Sequence, residues 1–225
     1  MSDVATYPYP LVVFDLDGTL VDSAGDIAEA LNRTLEDWQL PRVAEATVLT
    51  WIGDGVRRLV EQAFTAAGST IDLDRVMPGF MVHYRECLLR SPRLFDGVAE
   101  ALQQLQERGV PMAICTNKPE GLAVELVRRL GITELFGALV GADTLPTRKP
   151  DAAPYVASVT RAGGDVRRSM LIGDTETDRN TGLAVGVPVA LVTFGPEGRA
   201  IERLQPEALL DHYDDLPALA ARLLA

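Results

Sequence analysis

Asp15 and Asp17 stand two positions apart in "LVVFDLDGTLVDS", directly after an apolar run and just before Gly18 and Thr19. In an extended chain residues i and i+2 face the same side, so two carboxylates share one small space. Like charges held that closely oppose each other's ionisation unless a cation or a shared proton relieves them. Folding alone asks for no such arrangement. One carboxylate, Asp15, can attack phosphorus and split a hydrolysis into two displacements. The other, Asp17, can in its acid form give a proton to the leaving oxygen and later take one from water. Gly18 and Thr19 allow a tight turn whose amide N–H groups are free to hold phosphate oxygens. The competing reading is an acidic turn with an Asx cap.

Three more clusters carry compatible chemistry. "ICTNKP" puts Thr116 and Asn117 just past an apolar run, where a hydroxyl and a backbone N–H can hold a phosphoryl oxygen; an ordinary turn reads the same way. "TRKPDAAPY" carries Lys149 before Pro150, which disfavours helix at the lysine and leaves it on a loop near a helix start. An ammonium there offsets the charge of a nucleophile and of an arriving phosphate. "MLIGDTETD" supplies Asp174, with Asp178 four residues on. Mg²⁺ takes one or two carboxylates, carbonyls or waters, and phosphate oxygens. Asp15 and Asp174, with the backbone carbonyl of Asp17, suit that demand, and Asp178 suits an outer position holding Lys149. Asp174 is also a candidate helix N-cap. Only two of the 21 Lys and Arg residues are lysine, Lys118 and Lys149. Arginine replaces lysine poorly where a compact ammonium is needed, so both stand out.

Something must bring these clusters together. Apolar, β-branched runs at "LVVF", "VPMAICT", "ALVGAD", "SMLIGD" and "VPVALVTF" read as strands. Between them "GVAEALQQLQERG" and "GLAVELVRRLG" have helical periodicity and close on glycine. Alternating strand and helix predicts a Rossmann-like, doubly wound parallel sheet with both faces covered. Ligands in such sheets bind beyond the carboxyl ends of the strands, where Asp15, Thr116 and Asp174 all fall. Residues 21–92 break the alternation and read as four helices, near 25–39, 43–51, 55–67 and 73–90, with Ser23, Asp54 and Asp72 as candidate N-caps. The expected division is a catalytic core of 1–20 and 93–225 with an inserted α-helical cap at 21–92, placed to cover the strand ends.

The net charge of −11 disfavours nucleic acid and anionic membrane as partners, and no apolar stretch is long enough to span a bilayer. "MSDVATYPYP" lacks a basic, then apolar, leader pattern, so a cytoplasmic protein is expected. Cys87 and Cys115 lie far apart and read as buried reduced thiols. With two histidines, His83 and His212, a histidine-rich metal site or a Ser-His-Asp triad is disfavoured.

"DLDGT", "TN", "KPD" and "GDTETD", in this order along nearly the whole chain, resemble the haloacid dehalogenase-like superfamily of Mg²⁺-dependent phosphotransferases. The resemblance implies Asp15 as nucleophile, Asp17 as acid/base, Thr116 as phosphate binder, Lys149 as charge anchor and Asp174 as metal ligand. Within the superfamily "WIGDGVRRLVEQA", "TNKP", "GADTLPTRKPDAAP" and "EALLDHYDDLP" look like the phosphoglycolate phosphatase branch. That implies a small phosphorylated metabolite, 2-phosphoglycolate, as substrate of a monomer or homodimer. Here Asp54 stands where the branch often has Asn; it is expected to cap the next helix, with Arg57 or Arg58 meeting the substrate. A sugar phosphomutase of the β-phosphoglucomutase kind, a pyrophosphatase and a non-catalytic phosphate-binding module are the alternatives. A Schiff-base hydrolase is disfavoured because no lysine occurs between 21 and 92.

Overall fold

The computed structural model describes residues 10–70 and 72–224; residues 1–9, in which no leader pattern is expected, lie outside them. Among the described residues six strands form one sheet: β1 (Leu11–Phe14), β2 (Met112–Cys115), β3 (Ala138–Val140), β4 (Ser169–Gly173), β5 (Val189–Val192) and β6 (Ala208–Leu210). Every neighbouring pair is parallel, in the order β3-β2-β1-β4-β5-β6. The order reverses between β1 and β4, which opens a crevice at their carboxyl ends.

Parallel strands covered on both faces read as continuous apolar runs, and "LVVF" is buried at all four positions. Val12 and Phe14 point to one side, sharing a core with Val98 and Leu102 of α5 (Val98–Glu107), Leu126 of α6 (Glu120–Arg129) and Leu216 of α9 (Leu216–Leu223). Leu11 and Val13 point to the other, against Tyr155 and Val159 of α7 (Ala152–Arg161). Helix α8 (Glu176–Val185) packs beside α7 and against β4.

Among the described residues four helices stand between β1 and α5: α1 (Ala24–Asp37), α2 (Glu45–Leu49), α3 (Val56–Ala66) and α4 (Leu73–Leu88). Helix α1 lies along α4, with Leu31 and Leu35 buried in the same core as Phe80 and Tyr84. Two adjacent chain crossings join this segment to the sheet: Asp22 N–H donates to Arg93 O at 3.0 Å, and Phe95 N–H to Leu20 O at 3.1 Å.

The caps differ in part from expectation. Asp72 caps α4 by accepting from Asp74 N–H. Ser23 occupies the N-cap position of α1 but gives its hydroxyl to Asp17. Gly55, not Asp54, precedes α3, and Thr175, not Asp174, caps α8. Strand β6 adds to the five expected strands: a three-residue run, "ALL", is too short to stand out.

Candidate active site

Strands β2, β1 and β4 hand their next residues to one crevice. The sheet ladder runs a bond past the strand ends: Asp15 N–H donates to Ile172 O and Thr116 N–H to Val140 O, each at 2.9 Å. Asp174 follows β4 directly. Lys149 arrives from the loop between β3 and α7, and Asp151, two residues on, caps α7 through Ala153 N–H. The helix thus begins just after the lysine, as Pro150 requires.

Asp15, Asp174 and Asp178 are all buried and each offers a carboxylate oxygen within 4.8 Å of the others. Lys149 Nζ lies 2.6 Å from Asp178 Oδ1 and 3.0 Å from Asp15 Oδ1. The second approach is charge proximity without hydrogen-bond alignment, so Asp15 Oδ1 lacks a hydrogen-bond partner, and so does Asp174 Oδ2. Thr19 Oγ1 donates to the other oxygen of Asp174 at 2.8 Å. Asp178 is fully engaged. Its Oδ2 closes a capping box, accepting from Thr175 N–H at 3.1 Å and Thr175 Oγ1 at 2.8 Å, while Oδ1 takes Lys149.

Three acids therefore face one ammonium. Burial pushes Asp15 up to about 6; Lys149 opposes the rise and Asp178 adds to it. Burial, then Asp178 and Asp15, hold Asp174 well above the usual carboxylate range. Burial pulls Lys149 down, but Asp15 and Asp178 outweigh it and its net shift is upward. Two hard oxygens without a hydrogen bond, in a site where three acids share one ammonium, fit a small divalent cation.

Gly18 makes room for this cluster rather than for phosphate. Its φ is +79°, and its N–H, expected to be free, donates to Val21 O at 3.0 Å. Asn117, expected at phosphate, spends its side-chain N–H groups on Gly53 O and Lys149 O, both at 3.0 Å. Thr116 Oγ1 accepts from Lys118 N–H and lines the cavity above Asp15.

That cavity lies between the sheet and the helical segment. Asp15, Asp17, Thr116 and Lys118 form its floor; Ile27, Trp51, Ile52, Val56 and Leu59 form an apolar wall. Asp17 turns its side chain to Ser23 Oγ (2.7 Å) and to Lys118 Nζ, 2.9 Å from both oxygens. Lys118 also donates to the hydroxyl of Tyr84, on α4. Burial lowers Lys118's hold on its proton, which Asp17 only partly offsets. No motif gives a role to Lys118 or Tyr84; the scarcity of lysine singles out the first, and nothing in the sequence singles out the second.

The helical segment touches the strand ends through Gly53-Asp54-Gly55. Besides Asn117 on Gly53, Thr177 Oγ1 donates to Asp54 Oδ1 at 3.0 Å. Arg57 and Arg58, expected at the substrate, are exposed and pair with Asp74 and Glu61. Neither lines the cavity. Successive helix positions 57 and 58 face solvent because Leu59 and Val60 take the buried stripe of α3.

Haloacid dehalogenase-like hydrolase is the family whose pattern matches residues 12–192. Among curated relatives, the phosphoglycolate phosphatase of Mesorhizobium japonicum is 38% identical over 219 residues, 96% of each chain. That of Agrobacterium fabrum is 37% identical over 220 residues, 96% of this chain and 94% of its own. The crystal structure of a predicted phosphoglycolate phosphatase from Haemophilus somnus superposes with a TM-score of 0.85 at 31% identity, covering 94% of this chain and 97% of that one.

Proposed function

The chain belongs to the haloacid dehalogenase-like hydrolases, and from that premise we propose that it is a Mg²⁺-dependent phosphomonoesterase whose substrate is 2-phosphoglycolate. The observation that carries this reading is a pair of buried carboxylate oxygens without a hydrogen bond, Asp174 Oδ2 and Asp15 Oδ1, the second ion-paired with Lys149. Asp15 and Asp174 are the residues to hold the ion, with Asp178 outside them because both its oxygens are spent. When bound, the ion supplies positive charge to the phosphate oxygens and to the crowded carboxylates.

The chain's own groups account for the remaining steps. Asp15 attacks phosphorus in line, forming an O–P bond as the bond to the ester oxygen breaks. In its acid form, released from one of its two Lys118 contacts, Asp17 gives its proton to that oxygen. Lys149 keeps Asp15 aimed, and the Thr116 hydroxyl donates to an equatorial oxygen. Asp17, now a base, takes a proton from water as the water displaces Asp15 and releases phosphate. The helices of 21–92 act as a cap that excludes bulk water from the acyl phosphate. Their apolar wall supports a small ester over a sugar phosphate, whose hydroxyls would lie unpaired against Ile27, Trp51 and Leu59.

Phosphate release from 2-phosphoglycolate tests the reading directly. EDTA is expected to abolish it and excess Mg²⁺ to restore it. Turnover that survives EDTA, or no turnover in Mg²⁺, overturns it.

A further inference from the structure

Lysine is used twice in this chain, and the mechanism above uses only Lys149. The other, Lys118, has a side chain with no solvent exposure, yet it stands at the cavity floor between Asp17 and Tyr84. Burying an ammonium is costly unless it is paired and hydrogen-bonded. Asp17 and Tyr84 meet that cost: Nζ reaches both Asp17 oxygens at 2.9 Å and the Tyr84 hydroxyl.

The cavity has a charge problem that the acid cluster around Lys149 does not solve. Its lining already holds Asp15 and Asp17, and Lys118 is the cation among the described lining residues. Lys149 is committed to Asp15 and Asp178. Arg57 and Arg58 pair with acids outside. A substrate with a second anionic group beyond its phosphate therefore meets one counter-charge in these walls.

The geometry points to Lys118 as the group that receives the carboxylate of a phosphorylated hydroxy acid and so sets the enzyme's preference for such esters. This rests on the proposed phosphatase reading and deepens it. In 2-phosphoglycolate the carboxylate carbon is two bonds from the ester oxygen that Asp17 must protonate. An ammonium 2.9 Å from Asp17 is at the spacing to hold one while Asp17 serves the other. Nζ has three N–H groups, two now on the two oxygens of one carboxylate. Turning one of these to the substrate leaves Asp17 held by its second oxygen and by Ser23 at 2.7 Å. A compact ammonium can share itself this way, whereas a planar guanidinium commits to a bidentate partner, which explains lysine in an arginine-using chain.

The test is a ratio, so that a general loss of activity cancels. kcat/KM is measured for 2-phosphoglycolate and for ethyl phosphate, which has the same two carbons without the carboxylate. Wild type is expected to prefer the first, and Lys118→Met to lower that preference by roughly 10- to 150-fold, the worth of a hydrogen bond to a charged group. An unchanged ratio in Lys118→Met, at whatever absolute rate, overturns the assignment and leaves the substrate reading standing. A wild type with no preference overturns the substrate reading and this inference together. Should Lys118→Met fail to fold, wild-type enzyme labelled at its two lysines decides by NMR. Glycolate is expected to move a side-chain signal other than the one moved by inorganic phosphate, and ethanol to move neither; no response to glycolate overturns the inference.

Discussion

At Gly18 a Cβ would stand 2.1 Å from Asp174 Oδ2, and the backbone φ of +79° is one that other L-residues adopt at a cost of about 1–2 kcal/mol. The position needs glycine twice, once for the turn and once for the close approach of the Asp174 carboxylate. The nearest atom belongs to a short, buried side chain already fixed by Thr19, so it has little room to yield. Gly18→Ala is therefore expected to raise the half-saturating Mg²⁺ concentration by roughly 10- to 100-fold, the usual effect of disturbing a ligand's support. Activity titrated against Mg²⁺ measures it; a normal Mg²⁺ curve would show that Asp174 is not where the ion binds. The same residue shows the limit of reading roles from types. Glycine after an acidic pair suggests exposed amides for an anion, and only the fold reveals that this N–H is consumed by Val21.

Elements decide which motif residues meet. Five strand runs, both glycine-terminated helices and the helical break at 21–92 were legible because burial on two faces and helical periodicity leave long, regular patterns. The placement of Asp15, Thr116 and Asp174 at strand ends was legible for the same reason: they follow apolar runs, and a parallel sheet aligns such ends. Contacts between the helices and the strand ends were not, because they join residues far apart in sequence through loops without periodicity. Asp54, read as a helix cap, instead accepts from Thr177, and Arg57 points away. The Asp54–Thr177 and Asn117–Gly53 bonds hold the helices down over the cavity. One such bond to an exposed partner is worth about 0.5–1.5 kcal/mol. Thr177→Val, which keeps shape and removes the hydroxyl, is expected to lower kcat/KM about 2- to 10-fold by loosening the closed arrangement. Asp54→Ala should do the same, and the double variant should lose no more than either single one. Additive losses in that cycle would mean the two residues act separately.

For the whole molecule the site carries a stability cost that a bound cation would remove. Asp15, Asp174 and Asp178 share a buried space with Lys149 as the counter-charge, and burial with mutual repulsion raises the first two acids. A carboxyl that is raised in the fold favours folding while protonated and loses that contribution as pH climbs through its folded value. The ion-free protein therefore sheds this stability from about the unfolded value of 3.8 upward, past about 6 for Asp15. Metal binding acts in the opposite sense. At a hundred times its dissociation constant an ion that binds only the folded chain adds about 2.7 kcal/mol. For a chain of this length that is a rise in Tm of about 5–11 °C. Asp174→Asn removes one charge from the crowd and one ligand from the ion. At neutral pH in EDTA it is expected to melt above wild type, and in Mg²⁺ below it. Thermal melts of both proteins, with and without Mg²⁺, contain the whole test. If the two orders do not cross, the acids are a structural cluster that the fold tolerates, and the energy for chemistry must be sought elsewhere.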